Sequence, residues 1–204
     1  VVFPNHPLAA TEDELVKLAG YGKDINKNRA EAKRLLKEAG HANLSLELHN
    51  RGVDQPYKVL GIWLIDQWKK IGVKATHRVQ ASPAFYATLR KKFDYEVSID
   101  FNCQSVINPI ADITKFLGSA GNNYGQYEDQ VLEDTYNKIA RSPDPSEQRR
   151  LIRQYETRAL SEMAHISITL WWYKINPHRS YVKGWNIAPS HYLNQQLDNV
   201  WLDK

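Results

Sequence analysis

Two stretches of this chain repeat one hydrophobic pattern: an apolar stripe at helical spacing, a glycine, then strict alternation. In the first, Ala30, Ala32, Leu35, Leu36 and Ala39 precede Gly40, and Leu44, Leu46 and Leu48 then alternate with Ser45 and Glu47. In the second, Leu60, Leu64, Trp68 and Ile71 precede Gly72. Beyond it Val73, Ala75, His77 and Val79 alternate with Lys74, Thr76, Arg78 and Gln80. A period near 3.6 predicts helix and a period of two predicts strand. Glycine suits the left-handed residue just past a helix end, where any other side chain would clash. Helix, glycine and strand, twice over, predict an α/β sheet.

The remaining pattern extends this order. Residues 1–24 read as an irregular lead-in with a short helix near 12–18. Ser82 and Pro83 suit an N-cap and first helical position, opening a helix through Phe85 and Leu89. A third strand is predicted over 95–101, with Val97, Ile99 and Phe101 on one face. After a polar stretch, Asn108-Pro109 opens a helix carrying Ile110, Ile113 and Leu117, which Gly118 ends before a Gly/Asn-rich loop over 119–127. A helix over 128–141 is expected to turn Val131, Leu132, Thr135, Ile139 and Ala140 inward. The Ser142-Pro143-Asp144-Pro145 break separates it from a helix over 146–163 carrying Leu151, Ile152, Tyr155, Ala159 and Leu160. Residues 165–173, apolar on both faces, read as a central strand. Beyond Asn176-Pro177 come short β-like pieces near Tyr181-Val182 and Val200-Trp201-Leu202. The aromatics there, Tyr181, Trp185, Tyr192 and Trp201, show little periodicity. This tail either crosses the core or meets a surface that the chain lacks.

Composition narrows the class. With 204 residues, 42% of them apolar, six Trp and eleven Tyr, the chain can bury a real core. The net charge of +4 is dispersed; the basic run through Lys69, Lys70, Lys74, Arg78 and Arg90-Lys91-Lys92 has Asp66 and Asp94 beside it. It reads as a solvated face, not a nucleic-acid stripe, so no nucleic-acid partner is expected. The one cysteine, Cys103, excludes an internal disulfide and a thiolate metal cluster. No run approaches the ~20 apolar residues of a membrane span. The chain opens on Val1-Val2 rather than Met, so the lack of a signal peptide says nothing of compartment.

Chemistry-bearing motifs are scarce. No phosphate loop, nucleophile elbow or dinucleotide fingerprint occurs, and the seven histidines form no pair three or four apart, so no cofactor or metal is implied. Cys103 lies in a loop after a strand, where a hydrolase nucleophile could sit, but no activating histidine is near it in sequence. Carboxylate pairs such as Asp94/Glu96 and Glu128/Asp129 fit solvated element ends. What remains is amide- and aromatic-rich loops at strand ends, Phe101-Asn102-Cys103-Gln104-Ser105 and Asn122-Asn123-Tyr124. Open α/β sheets bind ligands at the carboxyl ends of their strands. Amides and rings without a catalytic trio point to binding rather than turnover. The alternative is a pair of ordinary hydrophilic loops.

Several short matches then fall in register along nearly the whole chain. Ala30-Glu31-Ala32-Lys33-Arg34-Leu35-Leu36-Lys37-Glu38-Ala39-Gly40 and Trp68-Lys69-Lys70-Ile71-Gly72-Val73 come first. Phe93-Asp94, Asn108-Pro109 and Asn123 with Tyr127 four residues on follow. Ser142-Pro143-Asp144-Pro145 with Gln148-Arg149, Ile166-Ser167-Ile168, and Val182-Lys183-Gly184 complete the series. In these positions the chain resembles the C-terminal half of the family 5 extracellular solute-binding proteins, the oligopeptide-, dipeptide- and nickel-type receptors of ABC importers. The resemblance implies an α/β fold, one lobe of a type II periplasmic-binding architecture, with a mixed sheet flanked by helices. It implies residues 1–175 as the C-terminal solute-binding lobe and 176–204 as a return segment packed on an absent N-terminal lobe.

The resemblance also implies a periplasmic or otherwise extracytoplasmic protein, not an enzyme, that hands a small solute, a peptide, sugar or similar, to a membrane permease. Phe101, Asn102, Gln104, Asn108, Asn123 and Tyr124 are the expected solute contacts, with Trp172 as a stacking platform. One departure bears on the solute. Peptide-binding members place an aspartate just before their Asp-Pro pair, whereas nothing acidic lies between Asp100 and Asn108 here, and the pair itself begins with Asn108. A buried ammonium without a carboxylate is costly. A neutral or anionic solute, or a sugar stacked on aromatics, is therefore expected over a free peptide amino terminus. The rival readings are a hydrolase using Cys103 and an autonomous protein-interaction module.

Overall fold

The computed structural model describes residues 1–103, 108–173, 175–186, 188 and 196–204. Both helix-to-strand steps close in the same way. Helix α2 (Ile25–Glu38) follows the short α1 (Glu12–Leu15) and ends at Gly40, with φ of +78°. Helix α3 (Val59–Lys69) ends at Gly72, with φ of +94°. In each, the residue after the glycine donates its N–H five residues back, His41 to Leu36 O at 2.8 Å and Val73 to Trp68 O at 3.1 Å. These are the paired bonds of a left-handed helix cap.

The strands that follow, β1 (Ser45–Arg51) and β2 (Lys74–Gln80), pair in parallel from Ser45↔Lys74 to Arg51↔Gln80. Strand β3 (Val97–Ser98) joins the other side of β1, giving the order β2-β1-β3. The third strand is thus shorter than predicted: Ile99 is buried beyond it and Phe101 is 43% exposed.

Alternation along β1 assigns its two faces. Leu48 and Asn50 lie under α3, where Gly61 meets His77 and Asn50. His49 and Arg51 point the other way, toward α4 (Ser82–Ala87), with His49 stacked on Phe85 at 4.6 Å. Leu48 and Phe85 are fully buried, each contributing about 1.5–3 kcal/mol of transfer free energy. Helix α4 begins after Ala81 without a side-chain cap, so Ser82 sits inside the first turn instead of capping it.

A second apolar centre lies among α5 (Pro109–Asp112), α6 (Gln130–Arg141) and α7 (Pro145–Thr157). Ile113, Leu132, Ile139, Ile152, Tyr155 and Ala159 are fully buried there. Contrary to expectation, Val131 is 53% exposed and Ala140 also faces out. Leu132 and Ile139, seven residues apart, set the buried line, and each of the other two is one position off it.

The segment 165–173 forms no ladder among the described residues, which corrects the expected central strand. Ile166 and Ile168 pack on the helical core, while Leu170, Trp171, Trp172 and Tyr173 are exposed. A strand apolar on both faces needs cover on both, and here the described residues cover only one side. The tail contributes a two-stranded antiparallel pair, β4 (Val182–Lys183) and β5 (Trp201–Leu202), separate from the main sheet.

Candidate functional site

The carboxyl edge of the sheet gathers three cations and four rings. Arg51 is the last residue of β1. The turn Asp54–Lys58, extended at Gln55, folds Tyr57 back over it, with the guanidinium carbon 4.0 Å from the ring centre. Arg51 lies 5.7 Å from the Tyr86 ring and 5.6 Å from the Phe101 ring, and its Nη1 donates to Tyr86 Oη at 2.7 Å. Its buried Nε has no acceptor among the described residues. Arg90, on the π-helical segment Thr88–Lys92 that continues α4, stands 4.3 Å from the Tyr86 ring and 5.6 Å from Tyr124. Lys115, in the 3-10 segment after α5, lies 5.4 Å from the Tyr124 ring.

These positions follow from the fold. The turn after β1, the helix after β2 and the chain leaving β3 all reach the same sheet edge, so residues distant in sequence converge there. Lys115 Nζ pairs with the Asp100 carboxylate and also donates to Phe101 O at 2.8 Å, which ties the post-β3 chain to the 3-10 segment after α5. Side-chain exposures of 12% for Lys115 and 16% for Asp100 make this a largely buried pair. Neither Arg51 nor Arg90 forms an ion pair among the described residues. Burial pushes the Tyr57 phenol up and the Tyr95 phenol up to about 12; the Tyr95 hydroxyl donates to Tyr124 O, holding that loop against the sheet.

Of the residues singled out from sequence, Phe101 and Tyr124 enter this cluster. Asn102 lies beside it, its Nδ2 donating to Asp112 O at 3.1 Å. The other two described amides serve the chain itself. Asn108 Oδ1 accepts from Ile110 N at 3.0 Å as the cap of α5. Asn123 closes its own loop, donating to Tyr127 O at 2.9 Å and accepting from Tyr127 N at 3.3 Å. Trp172 is 61% exposed on the extended segment and is not among the rings facing the three cations. Gln104 lies outside the described residues, as does Tyr192 of the tail.

Sequence reading missed Arg51, Tyr57, Tyr86, Arg90 and Lys115. The available signal was position: Arg51 ends a predicted strand, where open sheets bind. Arg90 was hidden inside a basic run that reads as solvated.

Cys103 is half-buried, and burial together with Asp112 pushes its thiol up, away from the nucleophilic thiolate. Burial also pushes the Asp112 carboxyl up to about 6. Among the described residues no group of His, Cys, Asp and Glu is placed to hold a metal, and no helix is long and apolar enough to cross a membrane.

No protein-family model matches the sequence, and none of the curated proteins matches it either. Solved structures do. A periplasmic binding protein associated with an ABC transporter, DppA from Helicobacter pylori in complex with the peptide STSA, matches 98% of this chain with a TM-score of 0.71 at 20% identity. The murein tripeptide-binding protein MppA, unliganded and open, matches 74% with a TM-score of 0.64 at 17% identity. The substrate-binding domain of an oligopeptide ABC transporter from Bacillus anthracis matches 70% with a TM-score of 0.58 at 20% identity. The chain spans 44%, 31% and 28% of those structures, respectively, less than half of each. Its α/β architecture, a parallel sheet flanked by helices, is that of a lobe of the substrate-binding proteins of peptide ABC transporters.

Proposed function

We propose that the chain is the C-terminal lobe of an extracytoplasmic, family 5-type solute-binding protein that captures a small solute for an ABC-transporter permease. The match to 98% of this chain carries the reading. The convergence of Arg51, Arg90, Lys115 and four rings at the carboxyl edge of a parallel sheet supports it, because that edge is where such sheets bind ligands. Capture works by population shift: a solute that touches both walls of a cleft favours the closed form by its extra contacts there. No bond is made or broken in this scheme. The hydrolase alternative needs a thiolate at Cys103, which its surroundings disfavour.

The division into 1–175 and a return segment over 176–204 belongs to the same proposal. Trp172, Tyr173, Leu197, Trp201 and Leu202 are all more than half exposed, an apolar surface that a second lobe would cover. The test is a thermal-shift screen of the full-length protein against peptides, sugars, opines and metal chelates. At least one class should raise the melting temperature by about 2 °C or more. Cys103→Ser should leave that shift intact. A screen with no stabilising class, together with a turnover that C103S abolishes, would sink solute capture in favour of the hydrolase.

A further inference from the structure

We propose that the solute taken at this wall is a small organic anion lacking an ammonium group. Its carboxylate would sit on Arg51 and Arg90, with its apolar or planar part among Tyr57, Tyr86, Phe101 and Tyr124. The inference rests on the solute-capture reading and narrows it to one charge class.

Charge balance is the first argument. Of the three cations, Lys115 is matched by Asp100 in a largely buried pair. Arg51 and Arg90 face rings, not carboxylates. Asp112, the other half-buried acid of this edge, is not among the groups ion-paired with either guanidinium among the described residues. A cationic ligand would therefore meet two unmatched guanidinium groups. An uncharged sugar would leave both of them unmatched.

Geometry is the second argument. Arg51 is held by three ring faces and by its bond to Tyr86, so its planar donor fork is positioned before any ligand arrives. Stacking occupies the faces of a guanidinium and leaves N–H edges for bidentate donation to a carboxylate. Among the described residues the buried Arg51 Nε is a donor without an acceptor, and a ligand oxygen would supply one. Four rings around the cations offer apolar and planar contact to the remainder of the solute.

A single skeleton carrying four charge states tests this. The full-length protein is titrated calorimetrically with N-acetyl-phenylalanine (anion), phenylalanine amide (cation), phenylalanine (zwitterion) and N-acetyl-phenylalanine amide (neutral). The anion should bind about tenfold or more tighter than each of the others, and its affinity should weaken as NaCl rises. Arg51→Met should lower that affinity about 10- to 100-fold. R90M, at the exposed side of the cluster, gives the same reading if R51M does not fold. Equal or better binding of the amide or the neutral compound overturns the charge class but leaves solute capture standing. Unchanged affinity in the folded arginine variants also overturns it. If none of the four binds, the inference falls, and the screen described above decides solute capture separately.

Discussion

Gly61 sets how closely α3 approaches the sheet. A methyl group added there would lie 2.5 Å from His77 Nε2 and 2.6 Å from Asn50 Nδ2. Asn50 cannot yield freely, since its Nδ2 donates to Tyr57 O at 2.7 Å and meets His77 Nε2 at 2.9 Å. Gly61→Ala is therefore expected to destabilise by about 2–3 kcal/mol in urea unfolding, despite alanine's better helix propensity. A neutral or stabilising G61A would show that the helix can shift. His77 and His49 are both held below the ordinary imidazole range, chiefly by burial. The unfolded chain protonates them near about 6.5, so it binds more protons than the folded one below that pH. Stability should be full above this value and fall as pH drops beneath it, and His77→Gln should lessen the fall between pH 7.5 and 5.5. Residue roles were the least legible part of the sequence. Asn108 and Asn123 were conspicuous as amides, but an amide in a loop looks the same whether it bonds ligand or backbone. Arg51, Tyr57 and Tyr86 became a cluster only when the sheet brought three separate segments to one edge.

Elements were read more easily, because helix, glycine and strand leave a local imprint. Gly40 and Gly72 take the positive φ that their places past a helix predict. The 165–173 segment failed for a non-local reason, since its apolar pattern specifies burial on two sides without saying what supplies the second. That segment is instead fastened at its start. Asp129 caps α6 through Val131 N at 3.1 Å, and its Oδ2 accepts from Arg158 Nε at 2.9 Å and meets His165 Nε2 at 3.0 Å. The Tyr127 ring lies 4.4 Å from the His165 ring. One carboxylate thus joins α6, the end of α7 and the extended segment. Asp129→Ala should cost about 2–3 kcal/mol in chemical unfolding, more than the loss of a cap alone, because Arg158 and His165 lose their shared partner. A loss below about 1 kcal/mol would reduce Asp129 to an ordinary cap.

At the scale of the whole molecule, the sheet layer and the helical core form two apolar centres, and the aromatic surface from Leu170 to Tyr173 continues outside both. Fold class was legible because the parallel β1–β2 unit with its covering helices is written in consecutive segments. The cation-and-ring edge was not, because it exists only in the assembled sheet. The strand order carries one more consequence. Strand β2 is the outermost of the three, joined along its seven residues to β1 alone among the described strands. Its other flank, unpaired among the described strands, offers a row of backbone donors and acceptors, a template for edge-to-edge aggregation with a second copy. Lys74, exposed at its first position, is the charge that opposes such stacking. Lys74→Val should leave unfolding nearly unchanged yet make light scattering rise with protein concentration, and scattering equal to that of the parent chain would mean that other groups guard this edge. A rise in scattering would mean that solubility here rests on a lysine that contributes nothing to the core.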